Sequence, residues 1–222
     1  FHMARPEVEQ DPDGARFLVW PTVTLFDPPT GDDEAPYVLL GHEPSRLWKS
    51  FASQMVDHAL SEGIEAIVFL GAMLADVPHS RPVKVTCTSD DQAIRDHFDI
   101  EKSGYEGPVG VLTVLSLAAA EAGIPSLHLW AHVPHYVHTS PSPKVTLALL
   151  EELENRVGIT TDRTDLELEA MRWEEGIDAL ASDDDDMTAY IEGLEQARDA
   201  ADAPEAQGEA IAEEFEKYLQ SR

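Results

Sequence analysis

A nearly continuous apolar run in the first third of this 222-residue chain most constrains its fold. Ile64–Leu70 is apolar on both faces, which is typical of a central parallel strand. A helical pattern precedes it, beginning near Ser45 and ending near Ser61. Further strand-like runs follow at Val83–Thr88 and Pro125–Val133, separated by helical segments. This alternation with short connections predicts an α/β fold with a doubly wound, mostly parallel sheet.

The end of the chain shows helical patterns alone. Apolar residues recur at helical spacing over Leu166–Leu180, and four aspartates, Asp183–Asp186, begin the next helix, where they suit the positive end of its dipole. A last helix is predicted over about Gln207–Gln220. We therefore expect an α/β core over residues 1–158 and an acidic helical extension over 159–222. The extension is expected to pack on the core or on a neighbouring subunit.

Charge excludes two classes of partner. The chain has 43 acidic and 15 basic residues, a formal net charge of −28, and no basic stripe. Such a chain repels nucleic-acid phosphates and anionic membranes, so we expect neither as a partner. The single cysteine, Cys87, excludes an internal disulfide and predicts a cytoplasmic location. It lies in an alternating strand pattern, where a packed thiol is favoured over a nucleophile.

Three short segments combine Gly, Pro, His, Arg and Tyr beside apolar runs. They are Gly71–Pro82, Tyr105–Gly110 and Trp130–Val137. In an open α/β sheet such loops meet at the carboxyl edge of the strands, where ligands bind. The three segments therefore predict a pocket.

The first of these loops places a histidine and an arginine between two prolines. The prolines fix the backbone around His79 and Arg81, which holds their charge in a defined place. This arrangement suits a carboxylate or a phosphate group. Alternatively, Arg81 pairs with Asp76 or Glu106 to hold the shape of the loop.

The second loop enters a helix at its amino terminus. The backbone N–H groups near Tyr105, Glu106 and Gly107 would form an anion site there. Glu106 is either a general base or a cap of its own helix. The Walker and Rossmann spacings are absent, so no nucleotide cofactor is predicted. No Gly-x-Ser-x-Gly elbow occurs, which disfavours a serine hydrolase.

Histidines concentrate around the third loop, at His128, His132, His135 and His138. Their spacing lacks the His-Glu-x-x-His and paired-cysteine patterns of zinc sites, so a metal site is the less favoured alternative and none is predicted. His135 and Tyr136, held by a proline at the end of the strand, are expected in the pocket. The candidate pocket residues are His79, Arg81, Tyr105, Glu106, Gly107, His135 and Tyr136.

Four segments taken together carry a family resemblance: Leu74–Val83, Tyr105–Gly110, Val133–Val137 and Pro141–Leu150. They resemble the proteasome assembly chaperone 2 family, most closely its actinobacterial branch of uncharacterised proteins. The resemblance covers nearly the whole chain. It implies a phosphorylase/hydrolase-like α/β fold, a cytoplasmic location and homo-oligomers such as trimers. It also implies a role like that of eukaryotic relatives, which help to assemble proteasome α-rings.

The chain departs from this family at its beginning. Members usually begin with a strand, a Gly-x-x-Asp-Ala-Gly-like loop and a helix, and none of these is present. Phe1–Pro6 reads like the middle of a protein, so we expect further sequence upstream. The missing loop would border the same pocket. Some members carry a ligase label, but the glycine-rich flap and magnesium carboxylates that it needs are not evident.

Two functional hypotheses follow. The first is a protein-binding or assembly factor that acts as a homo-oligomer, with proteasome subunits as partners and no cofactor. The alternative is a hydrolase-, phosphorylase- or ligase-like enzyme acting on a small anionic metabolite. In that case Arg81 and the amides of Gly107–Gly110 would bind the anion, while His135 or Glu106 would move a proton. A third possibility is a pocket that serves only as a structural core.

Overall fold

Seven strands and six α-helices occur in the part of the chain that the computed structural model describes, residues 5–29, 35–137 and 141–203. This mixture confirms the predicted α/β class, while the doubly wound arrangement stays a prediction. The strands are β1 (Glu7–Gln10), β2 (Arg16–Val19), β3 (Val23–Phe26), β4 (Val38–Gly41), β5 (Ile67–Ala75), β6 (Val85–Thr88) and β7 (Ser126–Pro134). The α-helices are α1 (Trp48–Ser61), α2 (Gln92–Phe98), α3 (Val111–Glu121), α4 (Pro143–Val157), α5 (Thr164–Ser182) and α6 (Asp185–Ala201).

The chain packs into two compact units. The first unit comprises Phe1–Phe69 and Cys87–His128, and the second comprises Leu70–Thr86 and Leu129–Arg222. The predicted division between residues 158 and 159 stays a prediction. None of the described helices is both long and apolar enough to cross a membrane.

Two antiparallel hairpins open the first unit. β1 pairs with β2 from Glu7 opposite Val19 to Gln10 opposite Arg16, and β3 pairs with β4 in the same antiparallel sense. Gly14 has a φ of +81° in the first turn, a conformation that glycine adopts without a steric penalty. The sequence pattern indicates an extended segment over residues 16–26, but it predicts neither β1 nor this pairing.

The remaining strands form a three-stranded sheet in the order β5-β7-β6, in which β5 and β7 are the two long strands. β5 continues to Ala75, so the residues from Gly71 onward, which the sequence analysis assigns to the first loop, belong to a strand. The apolar run does not stop at Gly71, because Met73 and Leu74 continue it. The first loop therefore begins at Asp76.

The core of the first unit lies between α1 and α3. Ala52 of α1 packs with Phe69, Val111 and Leu115, all of which are buried. The apolar positions of both helices recur every three or four residues and face each other, and burial of such side chains is the main stabilising contribution to folding. α3 ends just before Gly123, which has a φ of +81°.

The first two helices begin in different ways. α1 begins after Leu47, slightly beyond its predicted start near Ser45, and Leu47 has a φ of +60° and provides no side-chain cap. α2 is capped by Asp91, whose carboxylate accepts a hydrogen bond from the Ile94 N–H at 3.0 Å. The Ser89 hydroxyl is buried and donates instead to the Ser126 carbonyl at 2.6 Å.

The helices of the second unit follow their sequence signals more closely. Ser142 caps α4 and Pro143 occupies its first turn, where proline is favoured. Asp184 caps α6 by accepting hydrogen bonds from the N–H groups of Asp186 and Met187, which confirms the capping role of the aspartate run. α5 packs against α4 and against α6. The predicted helix over Gln207–Gln220 lies outside the described residues.

Candidate functional site

The first loop is anchored by a buried histidine in the second unit. His79 is 2% exposed, and its backbone N–H donates to the Tyr136 hydroxyl at 2.8 Å. Its ring joins two groups, with Nδ1 2.9 Å from Tyr136 Oη and Nε2 3.0 Å from Asp178 Oδ1. Because an ionised carboxylate only accepts hydrogen bonds, Nε2 donates to Asp178, and in the neutral imidazole Nδ1 then accepts from the Tyr136 hydroxyl. Every polar atom of the imidazole is thereby satisfied.

Tyr136 keeps its proton in this arrangement. Desolvation by burial is the largest influence and raises the pKa of Tyr136 above 10, while the hydrogen bond from the His79 backbone opposes this shift. The neutral phenol is the form that donates to the imidazole. The structure therefore brings together two of the predicted residues, His79 and Tyr136, as a hydrogen-bonded pair.

Aromatic rings surround this pair. The His79 ring meets Trp173 edge-on at 6.3 Å between ring centres, and His135 meets Tyr136 in the same way at 5.7 Å. Tyr190 of α6 contacts the rings of both His135 and Tyr136. Edge-to-face contacts of this kind stabilise packing beyond the area that they bury. His135 Nδ1 also lies 3.3 Å from Asp76 Oδ1, the first residue of the loop.

Arg81 is bound by two acids of α6. Its Nε and Nη2 donate to the two carboxylate oxygens of Asp199 at 2.8 and 2.7 Å, and Nη1 lies 3.2 Å from Glu195 Oε1. The Ser80 hydroxyl donates to the same carboxylate of Glu195. The hydrogen bond with Asp199 raises the pKa of Arg81 and lowers that of Asp199. The predicted alternative, an arginine held by a carboxylate, is seen, but its partner is neither Asp76 nor Glu106.

A lysine of α4 completes the attachment of the first loop. Lys144 Nζ donates to the His79 carbonyl at 2.6 Å and to Glu174 Oε2 of α5 at 2.8 Å. Neither Lys144 nor any of the acids that bind the loop is among the predicted site residues. Their sequence context predicts only exposed helical positions. Pro143, next to Lys144 in the sequence, is a local signal, but it indicates the start of α4 rather than a binding site.

A small cavity lies beside the loop within the second unit. Arg81, Lys84, Lys144 and Arg198 line it together with apolar side chains such as Val145 and Trp173. Its volume of about 10 Å³ is the room that one water molecule needs. Sites for metabolites are far larger. As it stands, the cavity does not admit a metabolite.

The second loop belongs to the first unit and is held by local bonds. The Tyr105 hydroxyl donates to the Pro108 carbonyl at 2.9 Å, and the Tyr105 side chain points largely to solvent, with the residue 65% exposed. Gly107 has a φ of +154°, and Glu106 is exposed. At the start of α3, the N–H of Val111 donates to Glu43 Oε2 at 3.0 Å. A carboxylate of the chain itself therefore binds the amide that directly follows the predicted anion site, Gly107–Gly110.

His128 and His132 form hydrogen bonds with residues other than those of the His79–Tyr136 pair. His128 Nε2 lies 2.8 Å from the Ser116 hydroxyl in the first unit, and His132 Nε2 lies 2.9 Å from Thr86 Oγ1 in the second. Desolvation lowers the pKa of both, so both rings are neutral at pH 7. His138 lies outside the described residues. Among the residues that are described, no group of three or more His, Cys, Asp or Glu side chains is arranged to hold a metal ion.

Comparisons with known proteins agree with this fold. A family model described as the PAC2 family matches residues 1–181. The crystal structure of a PAC2 family protein from Streptomyces avermitilis shares 38% identity with a TM-score of 0.72, covering 84% of this chain and 79% of that one. The structure of a proteasome-assembly chaperone homologue from Mycobacterium tuberculosis shares 34% identity with a TM-score of 0.70, covering 84% and 80%.

A more distant structure shares the fold alone. It is an archaeal homologue of proteasome-assembly chaperones from Pyrococcus furiosus, with 16% identity, a TM-score of 0.54, and coverage of 89% of this chain and 79% of that one. No curated protein sequence matches the chain. The match to the family model ends at residue 181, before α6 begins. The acids that bind Arg81 therefore lie beyond the matched region.

Proposed function

Because the chain belongs to the PAC2 family, we propose that it is a protein-binding assembly factor that acts as a homo-oligomer on proteasome subunits. An assembly-factor-like role is supported by the similar structure from M. tuberculosis, which is described as a proteasome-assembly chaperone homologue. The single cysteine, Cys87, is consistent with action in the reducing cytoplasm.

Exposed apolar residues on the two hairpins of the first unit carry this proposal. Phe17, Leu18 and Val19 of β2 are all exposed, and Trp20, which follows them, is 61% exposed. On the other hairpin, β4 exposes Leu40 and its neighbours. Isolated two-stranded hairpins are marginally stable in water, and contiguous exposed apolar residues mark interaction surfaces. Contact with a second copy or with a proteasome subunit would cover them.

The candidate site supports protein binding over the enzymatic alternative. Arg81, which would bind an anionic substrate in that alternative, is already bound by Asp199 and Glu195. The cavity beside it has room for about one water molecule. A hydrolase, phosphorylase or ligase acting on a metabolite would need Arg81 to be released and the cavity to widen. No observation favours such an opening.

Binding to purified proteasome α-subunits tests the proposal. We expect the full chain to form a complex with them on gel filtration and to accelerate ring assembly. The double variant Leu18→Ser/Trp20→Ser should weaken this binding at least about tenfold, because buried aromatic anchors dominate interface energies. Leu180→Ser is the matched control, since Leu180 is 75% exposed on α5 of the other unit. Failure of the unmodified chain to bind any α-subunit would contradict the proposed role.

Oligomerisation is tested separately by light scattering coupled to gel filtration. The proposal predicts a mass that is a whole multiple, two or more, of the 24.4 kDa of one chain, with a trimer as the expectation from the family resemblance. A mass of one chain at micromolar concentration would remove the homo-oligomer from the proposal. The α-subunit experiment would still decide the assembly role.

A further inference from the structure

The hairpin of β1 and β2 has two open edges that differ in charge. In the part of the chain that the structure describes, no further strand pairs with either of them. β1 carries Glu7 and Glu9, whereas Arg16 is the sole charged residue between Ala15 and Phe26. Charged residues on an edge strand hinder its pairing with another chain. The edge of β2 therefore lacks the protection that the edge of β1 has.

The backbone of β2 directs hydrogen-bonding groups out of this edge. In the turn of the hairpin, the Asp11 N–H donates to the Ala15 carbonyl at 3.0 Å. Hydrogen-bonded and non-hydrogen-bonded residue pairs alternate along an antiparallel ladder. The ladder therefore binds Phe17 to β1, while the N–H and C=O groups of Leu18, which lies opposite Val8, point away from β1. Leu18 is also 52% exposed, so a further strand can reach these groups.

The sequence of β2 is complementary to a second copy of itself. A two-fold axis at Leu18 would place two copies of β2 antiparallel, with Leu18 opposite Leu18 as a hydrogen-bonded pair. In this register Phe17 lies opposite Val19, an aromatic and β-branched pair of the kind that stabilises sheets. Arg16 lies opposite Trp20, which follows β2 and is 61% exposed, so the guanidinium can stack on the indole ring. The two Arg16 side chains lie at opposite ends of the pairing.

From this geometry we propose that the open edge of β2 binds β2 of a second copy of the chain, which forms a four-stranded antiparallel sheet across the two copies. A hairpin of two strands is marginally stable in water, and additional strands remove this weakness. The inference deepens the proposed function and rests on its homo-oligomer part. Pairing at the edge leaves both faces of the hairpin open, so it is compatible with contact between the hairpin and a proteasome subunit.

The mass of the full chain, measured by light scattering coupled to gel filtration, gives the first test. A two-fold contact predicts two chains of 24.4 kDa each, or an even multiple, at micromolar concentration. Leu18→Pro removes the N–H at the open edge without removing a bond between β1 and β2. It should weaken the association at least about tenfold, because two hydrogen bonds across the axis are lost. Val8→Pro, the matched control, makes the same change at the edge of β1 and should leave the mass unchanged.

Cross-linking tests the register without a proline. Leu18→Cys should form a disulfide between two chains under mild oxidation, because opposite residues of a hydrogen-bonded pair lie about 5.5 Å apart, within the reach of a disulfide. The control Val8→Cys also retains the native Cys87 and should run as a single chain on a non-reducing gel. This experiment decides the question if circular dichroism shows that a proline variant does not fold.

The outcomes separate this inference from the assembly role. A mass of one or three chains, a folded Leu18→Pro variant that keeps its mass, or equal cross-linking of the two cysteine variants overturns the pairing of β2 with a second copy. A chain that dimerises through Leu18 but binds no α-subunit would support the pairing and contradict the assembly role alone.

Discussion

The first and second loops have similar compositions but are held in different ways. The first, Asp76–Pro82, binds side chains 57 to 118 residues away in the sequence, from Tyr136 to Asp199. The second, Ser103–Gly110, is exposed throughout, and Tyr105 bonds only to groups two and three residues away. Each loop is described within its own unit.

This difference shows how a loop acquires a fixed shape. A buried imidazole and a guanidinium need hydrogen-bond partners, and the first loop obtains them from helices α5 and α6. The second loop exposes its polar groups to water, so it needs no distant partner. Composition marks both loops as special, but it does not reveal which loop the rest of the chain binds.

Loss of His79 should cost the most. His79→Ala removes a buried ring and leaves Tyr136 and Asp178 without their partner, so we expect the free energy of unfolding to fall by about 3 kcal/mol. Tyr105→Ala in the second loop should cost about 0.5 kcal/mol or less, because the side chain is exposed and bonds locally. Urea unfolding followed by circular dichroism measures both. Equal losses would show that the two loops are held alike.

Loss of Lys144 should have the next largest effect. Lys144→Met leaves the His79 carbonyl and the Glu174 carboxylate without their donor, and the Lys144 side chain is only 19% exposed. We expect a loss of about 1.5 kcal/mol in the free energy of unfolding. The control Lys102→Met, at an exposed lysine of the first unit that pairs with Asp90, should change it by less than about 0.5 kcal/mol. A result within that small range for Lys144→Met would mean that α4 does not support the first loop.

The second loop should respond to its backbone rather than to its side chains. Gly107→Ala places a β-carbon at a φ of +154° and 2.7 Å from the Tyr105 hydroxyl. We expect a loss of about 1 kcal/mol. Gly104→Ala, with open space around its position, is the control and should be nearly neutral. Identical thermal unfolding of the two variants would argue against a fixed backbone at Gly107.

The ion pair of Arg81 should contribute least, because both side chains are partly exposed and screened by salt. The hydrogen bond from Arg81 lowers the pKa of Asp199 below its ordinary value of 3.8. A lowered carboxyl pKa stabilises the fold above 3.8, and this stabilisation is lost as the pH falls through the folded-state value. The melting temperature of Asp199→Asn should therefore lie below that of the unmodified chain at pH 6.

The two melting temperatures should converge as the pH falls below 3.8. At pH 6, 1 M NaCl should also reduce the difference between them. A difference that persists unchanged at low pH would show that the carboxylate charge of Asp199 does not contribute.

Local signals in the sequence predict a large part of the fold. Pro143 marks the start of α4 and the aspartate run marks the start of α6, because capping depends on residues within one turn. The cap of α3 by Glu43 and the pair of Arg81 with Asp199 are not predicted. Their partners are 68 and 118 residues apart, and many acids at exposed helical positions have the same local pattern.

The sequence likewise predicts one part of the candidate site and misses another. His79, Arg81, His135 and Tyr136 lie together in the second unit, as their place beside strand ends indicates. Tyr105, Glu106 and Gly107 belong to the first unit and are described there alone. The lysines of the cavity were not predicted, since a single lysine in a strand or helix pattern is usually solvated.

Amide hydrogen exchange of the full chain tests most directly whether helices α5 and α6 hold the first loop. We predict that amides of residues 76–82 exchange at least about tenfold more slowly than those of 103–110, because protection follows burial and hydrogen bonding. In the double variant Arg81→Met/Asp178→Asn, exchange should accelerate in 76–82 and remain unchanged in 103–110. Equal exchange of the two loops in the unmodified chain would contradict this account.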